Sequence, residues 1–571
     1  MKTVLHFMSS YKKESVLAPL FKMFEALLEL FVPLVVASII DVGILKGDKS
    51  FIITRCLMML ALAVFGMVCA ITAQYFAAKT AVGSAAAMRK ELFQHILSFG
   101  YVEMDQVGSS TLITRMTSDI NQVQNGINMA LRLFLRSPFI VFGAMIMAFT
   151  IDWKAAMIFV VTIPLLSVVV FGVMFVTKPM YKNVQAGVDR ILGITRENLT
   201  GVRVIRAFHQ EKGEIQRFNE ANEELTVLQK LAGRISGLTN PLTFVIINFA
   251  ILFLIYTGAL RVNDGTLSTG QVVALYNYMS QILVELVKLA NLIILETKAI
   301  ACMNRIDDIF AAKASMKGGN EVFGDKKEKG IAISFDDVSF TYEGAREASL
   351  QNISFEVKAG DTLGIIGGTG AGKSSLIQLI ARFYDASEGK ILLDGKAIES
   401  YDLSELRHDI SLVPQKAQLF KGSIRENLLF GNDQLTEKDL ERALEISQAK
   451  EFVDAREGGL DAPVEQGGRN LSGGQKQRLT LARAIARNAG ILIMDDSASA
   501  LDFATDAKLR KAIKEMEDRP TTIIVSQRAS SMMHADQILV LEDGKMAGLG
   551  SHEELMKSCE VYQEIYGSQY E

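Results

Sequence analysis

The sequence predicts a multi-domain chain: an all-α domain of six membrane-crossing helices, followed by an α/β domain built around a phosphate loop. Three observations carry this reading. Apolar residues, 49% of the 571, crowd before residue 300 into six stretches, each long enough for a bilayer that takes about 20 residues to cross. From Ile331 onward, strand-like and helix-like patterns alternate, the signature of an α/β domain. Within that part, Gly367-Gly368-Thr369-Gly370-Ala371-Gly372-Lys373-Ser374 fits the pattern G-x-x-x-x-G-K-[ST]. The expected boundaries are a membrane domain over 1–310, a linker over 311–330 and a nucleotide-binding domain over 331–571.

The spans fall near 15–41, 51–78, 133–151, 155–177, 240–260 and 270–296. The connections at 42–50, 152–154 and 261–269 are short, whereas 79–132 and 178–239 are long, polar and helical in pattern. Lys178, Lys182, Arg190, Arg196, Arg203, Arg206, Lys212, Arg217, Lys230 and Arg234 all lie in the second long connection. The positive-inside rule therefore puts both long connections, both termini and the phosphate loop in the cytosol of a multi-pass protein of the cytoplasmic membrane. Met1 to Glu14 lacks the apolar core and cleavage site of a signal peptide. Four cysteines without paired spacing indicate neither a disulfide framework nor a zinc site. A net charge of −4 gives no reason to expect a nucleic-acid partner.

Pro19, Pro33, Pro138, Pro164 and Pro241 lie in or beside spans, where neighbouring helices re-satisfy the freed backbone groups, so the spans form a packed bundle. Glu25 and Glu29 share one face of the first span with Lys22 close by, and Glu285 and Lys288 lie in the sixth. Ionisable residues at such depth are functional candidates. Two readings stand: substrate contact, or a Lys22–Glu25 pair facing a wet cleft. The spans also carry methionines (Met58, Met59, Met67, Met145, Met147), which suit an adaptable cavity but equally fill gaps between helices.

The phosphate loop has the context its chemistry requires. The apolar run Asp361–Ile366 reads as a buried strand, and Ser375 onward reads as a helix. The glycines let successive backbone N–H groups converge on an anion, and the helix N-terminus adds its partial positive charge. Lys373 is expected to reach the β- and γ-phosphates of a nucleoside triphosphate, and Ser374 to offer its hydroxyl to Mg²⁺. Ile391–Leu393 and Ile410–Val413 are further strand candidates. Ile491–Met494 is wholly apolar, as expected of a strand buried on both faces of a parallel sheet. Asp495 follows at the carboxyl end, where such sheets bind ligands and a carboxylate can hold Mg²⁺.

Leu471-Ser472-Gly473-Gly474-Gln475 narrows the class. With Tyr342, Gln415 in Val413-Pro414-Gln415, and Ser499-Ala500-Leu501-Asp502 in order around it, the whole chain resembles a half-transporter of the multidrug-type ATP-binding-cassette exporter family. The resemblance implies that Tyr342 stacks on adenine. It further implies that residues 367–374, Ser375, Gln415 and Asp495 contact Mg-ATP, with Ser374, Gln415 and Asp495 as the metal set. Ser472, Gly473, Gly474 and Gln475 would close the ATP site of a partner chain. Short coupling helices are expected near Tyr101–Gln106 and Val202–Phe208.

Two positions depart from the family pattern, and both serve hydrolysis together with Gln415. Asp496 stands where the family has Glu, one methylene shorter than the base that orients and deprotonates water. Gln527 stands where the family has His; it still hydrogen-bonds but cannot carry an imidazole's charge. The expectation is a site that holds ATP and hydrolyses it poorly, within a heterodimer whose other half-transporter carries Glu and His there. Such a complex would export small amphiphilic compounds across the bilayer. The alternative is a homodimeric exporter or lipid flippase that hydrolyses slowly through Asp496. An importer, or a cassette ATPase that transports nothing, fits the six fused spans poorly.

Overall fold

The computed structural model describes residues 2–313, 315–322, 330–432, 434–497 and 501–570. They form two compact units: the chain up to Leu97 with Ser109–Ala312, and Ser98–Gly108 with the chain from Lys313 onward.

In the first unit, six helical segments are long and apolar enough to cross a membrane: Thr3–Ile44, Lys49–Leu97, Ser109–Ile151, Trp153–Thr200, Glu211–Asn263 and Thr269–Ala311. Each contains one of the six apolar stretches and overshoots it. At 42 to 53 residues and about 1.5 Å per residue, they far exceed the ~30 Å of a hydrocarbon core. The polar stretches 79–132 and 178–239 thus continue the helices beyond bilayer depth, interrupted by the short helices Tyr101–Val107 and Val202–Ala207.

Small residues let these helices approach closely, as membrane packing demands. Ala144, Ala148, Ala155, Ala156 and Ala274 are fully buried around Phe159 and Tyr278. Tyr278 Oη donates to the carbonyl of Leu30, satisfying a buried hydroxyl. A Cβ on Gly270 would lie 2.3 Å from the Ala37 carbonyl, so this helix start admits only glycine. Its amide donates to Asp41 Oδ1 (2.7 Å), which ties the first and sixth segments together.

Several charges within the spans are paired. Lys22 Nζ donates to Glu25 (2.5 Å). Glu29 turns instead to Arg136 (2.7 Å), which also holds Glu285 (2.7 Å). Glu285 further accepts from Ser137 Oγ and from Lys288, both at 2.8 Å.

The second unit contains these strands: β1 (Ile331–Phe340), β2 (Leu350–Lys358), β3 (Thr362–Gly367), β4 (Glu388–Leu393), β5 (Lys396–Ala397) and β6 (Ile410–Val413). They continue with β7 (Gly422–Ser423), β8 (Pro463–Val464), β9 (Ile491–Asp495), β10 (Thr521–Val525), β11 (Gln537–Glu542) and β12 (Lys545–Gly550). The main sheet runs β12-β11-β3-β10-β9-β6, parallel except for the edge strand β12. A smaller antiparallel sheet runs β2-β1-β4-β5.

Period-two alternation assigns the main sheet's two faces. Ile365, Ile493, Ile523 and Leu539 pack towards the small sheet, with Phe335 and Phe355. Ile366, Met494, Ile524 and Val540 pack against a helical layer that includes Leu479 and Leu481. All four residues Ile491–Met494 are buried, which accounts for the uninterrupted apolar run.

The expected linker is not free chain where it is described. Gly319 N donates to the Tyr401 carbonyl (2.8 Å) and Glu321 N to that of Ser400 (2.9 Å). A Cβ on Gly319 would meet the Ser400 carbonyl at 1.9 Å, so the segment is laid down tightly. Residues 314 and 323–329 of that linker, and Ser499 and Ala500 of the predicted 499–502 motif, lie outside the described residues.

Candidate nucleotide site

β3 ends at Gly367, and the loop 368–372 delivers the chain into the helix Lys373–Ile380. Gly370 (φ 85°) and Gly372 (φ 96°) take left-handed conformations that an L side chain resists. A Cβ on Gly372 would also lie 2.7 Å from the Ser349 carbonyl. The loop backbone is therefore dictated by its glycines. Lys373 Nζ lies over this loop, donating to the carbonyls of Gly367 (2.8 Å) and Gly368 (2.5 Å). Burial holds Lys373 below the usual lysine range, against the opposing pull of Asp496 and Asp495. Gly368, Thr369, Gly370 and Ser374 are exposed at the mouth of the loop, while Ala371 and Ser375 are buried beneath it.

Across the sheet, β9 ends in Asp495, which shares the site with Lys373. Burial pushes the Asp495 carboxyl up, the neighbouring Asp496 adds to the shift, and Lys373 opposes both. Asp496 leaves the strand with φ 43°, a left-handed conformation in which Asp is among the tolerated residues. Its amide donates to the Val525 carbonyl (2.9 Å), and Gln415 Nε2 approaches its Oδ2 at 3.4 Å. Sequence-distant Gln415 and Asp496 are thereby brought together at the ends of β6 and β9. Two carboxylates, the exposed Ser374 hydroxyl and an amide oxygen form a hard-oxygen donor set, which fits Mg²⁺.

Gln527 follows β10, with its side chain exposed. Its backbone is pinned by a residue that sequence reasoning did not single out. Gln569, on the helix Glu560–Tyr570, donates from Nε2 to the Gln527 carbonyl (2.7 Å) and accepts the Ala529 amide at Oε1 (2.8 Å). Between those bonds, the Arg528 guanidinium stacks over the Phe503 ring at 5.1 Å.

Tyr342 is placed beside the phosphate-loop helix, but its hydroxyl is engaged there. It donates to Gln378 Oε1 (2.7 Å) and lies 3.1 Å from Ser375 Oγ. Tyr384 meets the ring edge-on, with centroids 5.3 Å apart. Part of the ring remains accessible.

The predicted signature caps the helix Gly473–Ala486. Ser472 Oγ accepts the Gln475 amide (3.3 Å), and Gln475 Oε1 accepts the Ser472 amide (3.0 Å), a reciprocal capping box. Leu471 is buried in the helical layer, while Ser472 and Gly473 are exposed. The first-turn amides of this helix therefore face outward, as an anion-binding end requires.

The short helix Tyr101–Val107 belongs to this unit. Tyr101 stacks on Phe383 (centroids 4.2 Å apart), Val102 packs against the core, and Glu103 accepts the amides of Ser315 (2.7 Å) and Gly100 (2.8 Å). Tyr384 Oη donates to Asp105. The helix Val202–Ala207 presents the opposite picture: Val204 (60%) and Phe208 (72%) stand exposed.

Comparison with known proteins agrees with this architecture. The family profile for the ABC transporter transmembrane region matches residues 15–286, and that for the ABC transporter nucleotide domain matches 350–499. YfiB of Bacillus subtilis (strain 168), an ABC transporter ATP-binding protein, is 35% identical over 100% of this chain and 99% of its own length. The ATP-dependent lipid A-core flippase of Escherichia coli (strain K12) is 27% identical over 93% of this chain and 91% of its own. A solved bacterial Atm1-family ABC exporter with ATP bound superimposes with a TM-score of 0.81 at 21% identity, covering 98% of each chain.

Proposed function

The chain belongs to the ABC transporters, and from that premise we propose that it is the weakly hydrolytic half of a heterodimeric exporter. It is a multi-pass membrane protein with an ATPase domain coupled to transport, in the half-transporter arrangement of an ABC exporter. The finer reading is that residues 367–375, Tyr342, Gln415 and Asp495 bind Mg-ATP, while Asp496 and Gln527 turn it over slowly. Ser472–Gln475 would complete the ATP site of a partner chain carrying Glu and His at the two substituted positions. The cargo is small and amphiphilic, the membrane is the cytoplasmic one, and both termini lie in the cytosol.

One observation carries the reading. Both hydrolytic positions are altered, whereas the binding elements (the glycine-dictated loop, Lys373 and the capped signature helix) are intact. Mg²⁺, when bound, supplies charge neutralisation at the phosphates. The chain's own part is to hold and orient: loop amides on phosphate, Asp495 and Ser374 towards the metal, Gln415 beside Asp496. ATP-driven closure would turn the membrane cavity outward, and hydrolysis at the partner's site would reset it. The exposed Val202–Phe208 face supports docking on a second chain.

The second reading, a homodimeric lipid flippase working through Asp496, draws support from the likeness to the lipid A-core flippase. Mild-detergent isolation from native membrane followed by native mass spectrometry separates the two. One copy of a second half-transporter supports the heterodimer. Two copies of this chain alone would overturn it and make Asp496 the working carboxylate.

A further inference from the structure

We infer that the membrane unit contains a charge-balanced cavity for a zwitterion, a ligand of zero net charge with separate cationic and anionic groups. The inference rests on the exporter reading and deepens it by naming the cargo's headgroup chemistry.

The cavity measures about 450 Å³ and is lined by Glu29, Asn277, Gln281, Glu285 and Lys288 beside apolar residues of the first and third spans. Asn277, Gln281, Glu285 and Lys288 follow one another at intervals of four, four and three, so they form a single polar stripe on the sixth helix. Glu29 faces that stripe from the first span. A polar stripe inside a membrane bundle needs a reason, because each such group opposes insertion.

The charges divide into a fixed pair and two open groups. Arg136 and Glu285 are nearly inaccessible (side chains 9% and 4% exposed) and bond to each other at 2.7 Å. Glu29 (41%) and Lys288 (45%) stand open, each held to the buried pair through one contact. The set holds two acids and two bases and sums to zero. Gln281 adds a buried Oε1 with no hydrogen-bond partner among the described residues.

Balance selects the ligand. A lone cation entering here gains from Glu29 but is repelled by Lys288, and its desolvation is not offset. A lone anion meets the mirror situation. A zwitterion can place its cationic group on Glu29 and its anionic group on Lys288, gaining from both while adding no net charge to the membrane interior.

The test uses the complex as isolated, reconstituted in lipid nanodiscs, with three probes that share an octyl tail: octylphosphocholine, octyltrimethylammonium and octyl sulfate. ATPase stimulation and calorimetric binding are read for each. The expected result is stimulation by octylphosphocholine alone. Lys288→Gln should shift preference towards octyltrimethylammonium and Glu29→Gln towards octyl sulfate, each by about tenfold in half-maximal concentration, the scale of one charged hydrogen bond. Both residues are open and leave the Arg136–Glu285 pair in place, so the variants keep the fold. Equal responses to all three probes, no response to any, or a preference unmoved in both variants overturns the inference. A complex with no basal ATP turnover at all would overturn the exporter reading instead.

Discussion

Replacing Asp496 by Glu and Gln527 by His together should convert a holding site into a working one. Glutamate extends the carboxylate by one methylene, about 1.5 Å. Gln415 Nε2 reaches Asp496 Oδ2 only at 3.4 Å, so this contact of the shorter side chain sits at the limit of bonding. General-base catalysis contributes roughly 10²–10⁴ in rate and requires the base within about 3.2 Å of its proton. Recovering its lower bound corresponds to about 2.7 kcal/mol of barrier, at about 1.36 kcal/mol per tenfold. The backbone sets a cost against the change: at φ 43° a glutamate lacks the local bonding that favours aspartate, a penalty of about 1 kcal/mol in stability.

On the heterodimer reading, steady-state turnover of the intact complex should at most double, because the partner's site would already be working. The decisive assay is therefore single-turnover hydrolysis with the partner's catalytic carboxylate replaced by glutamine. There, the double variant should hydrolyse about a hundredfold faster than the parent. A rate within about threefold of the parent would refute the argument from reach, since that is only about half of one tenfold step in barrier, against the two steps expected.

Two further outcomes follow from geometry elsewhere in the unit. Because burial depresses Lys373, the folded chain binds fewer protons than the unfolded one between its lowered value and the ordinary lysine value, so this residue makes stability rise with pH there. Phosphate would restore its charge, so nucleotide binding should take up protons at alkaline pH, measurable by calorimetry in buffers of different ionisation enthalpy. Lys373→Met should abolish that uptake and weaken binding by about 10- to 100-fold. Gln569→Ala removes both bonds that pin the Gln527–Ala529 backbone, and hydrogen–deuterium exchange should show the Ala529 amide exchanging about tenfold faster or more. Unchanged protection there would mean that the loop is held by its own turn.

The parts of the site legible in the sequence are those governed locally. Glycines that must take positive φ, an apolar run buried on both sheet faces, and a serine followed three residues later by glutamine each impose their geometry within a few residues. Tertiary partnerships left no such mark. Glu29 and Glu285 stand out as acids in apolar spans, but their joint partner Arg136 lies at the edge of another span, where basic residues are ordinary. Tyr342 reads as a free aromatic, yet Gln378 and Ser375 hold its hydroxyl from the phosphate-loop helix. Gln569 is one amide in a terminal helix of mixed composition, and only the fold shows that its two ends meet the loop around Gln527.

The segment Ser98–Gly108 bears on how the protein can be dissected. A soluble fragment cut at residue 313 would retain every predicted nucleotide contact and still lack the peptide that covers Phe383, bonds Tyr384 and caps the Ser315 amide. Such a fragment should emerge sticky and easily melted, and a synthetic peptide of residues 98–108 added in trans should restore its solubility and melting temperature. The gene's order of domains is thus a poor guide to where the scissors go.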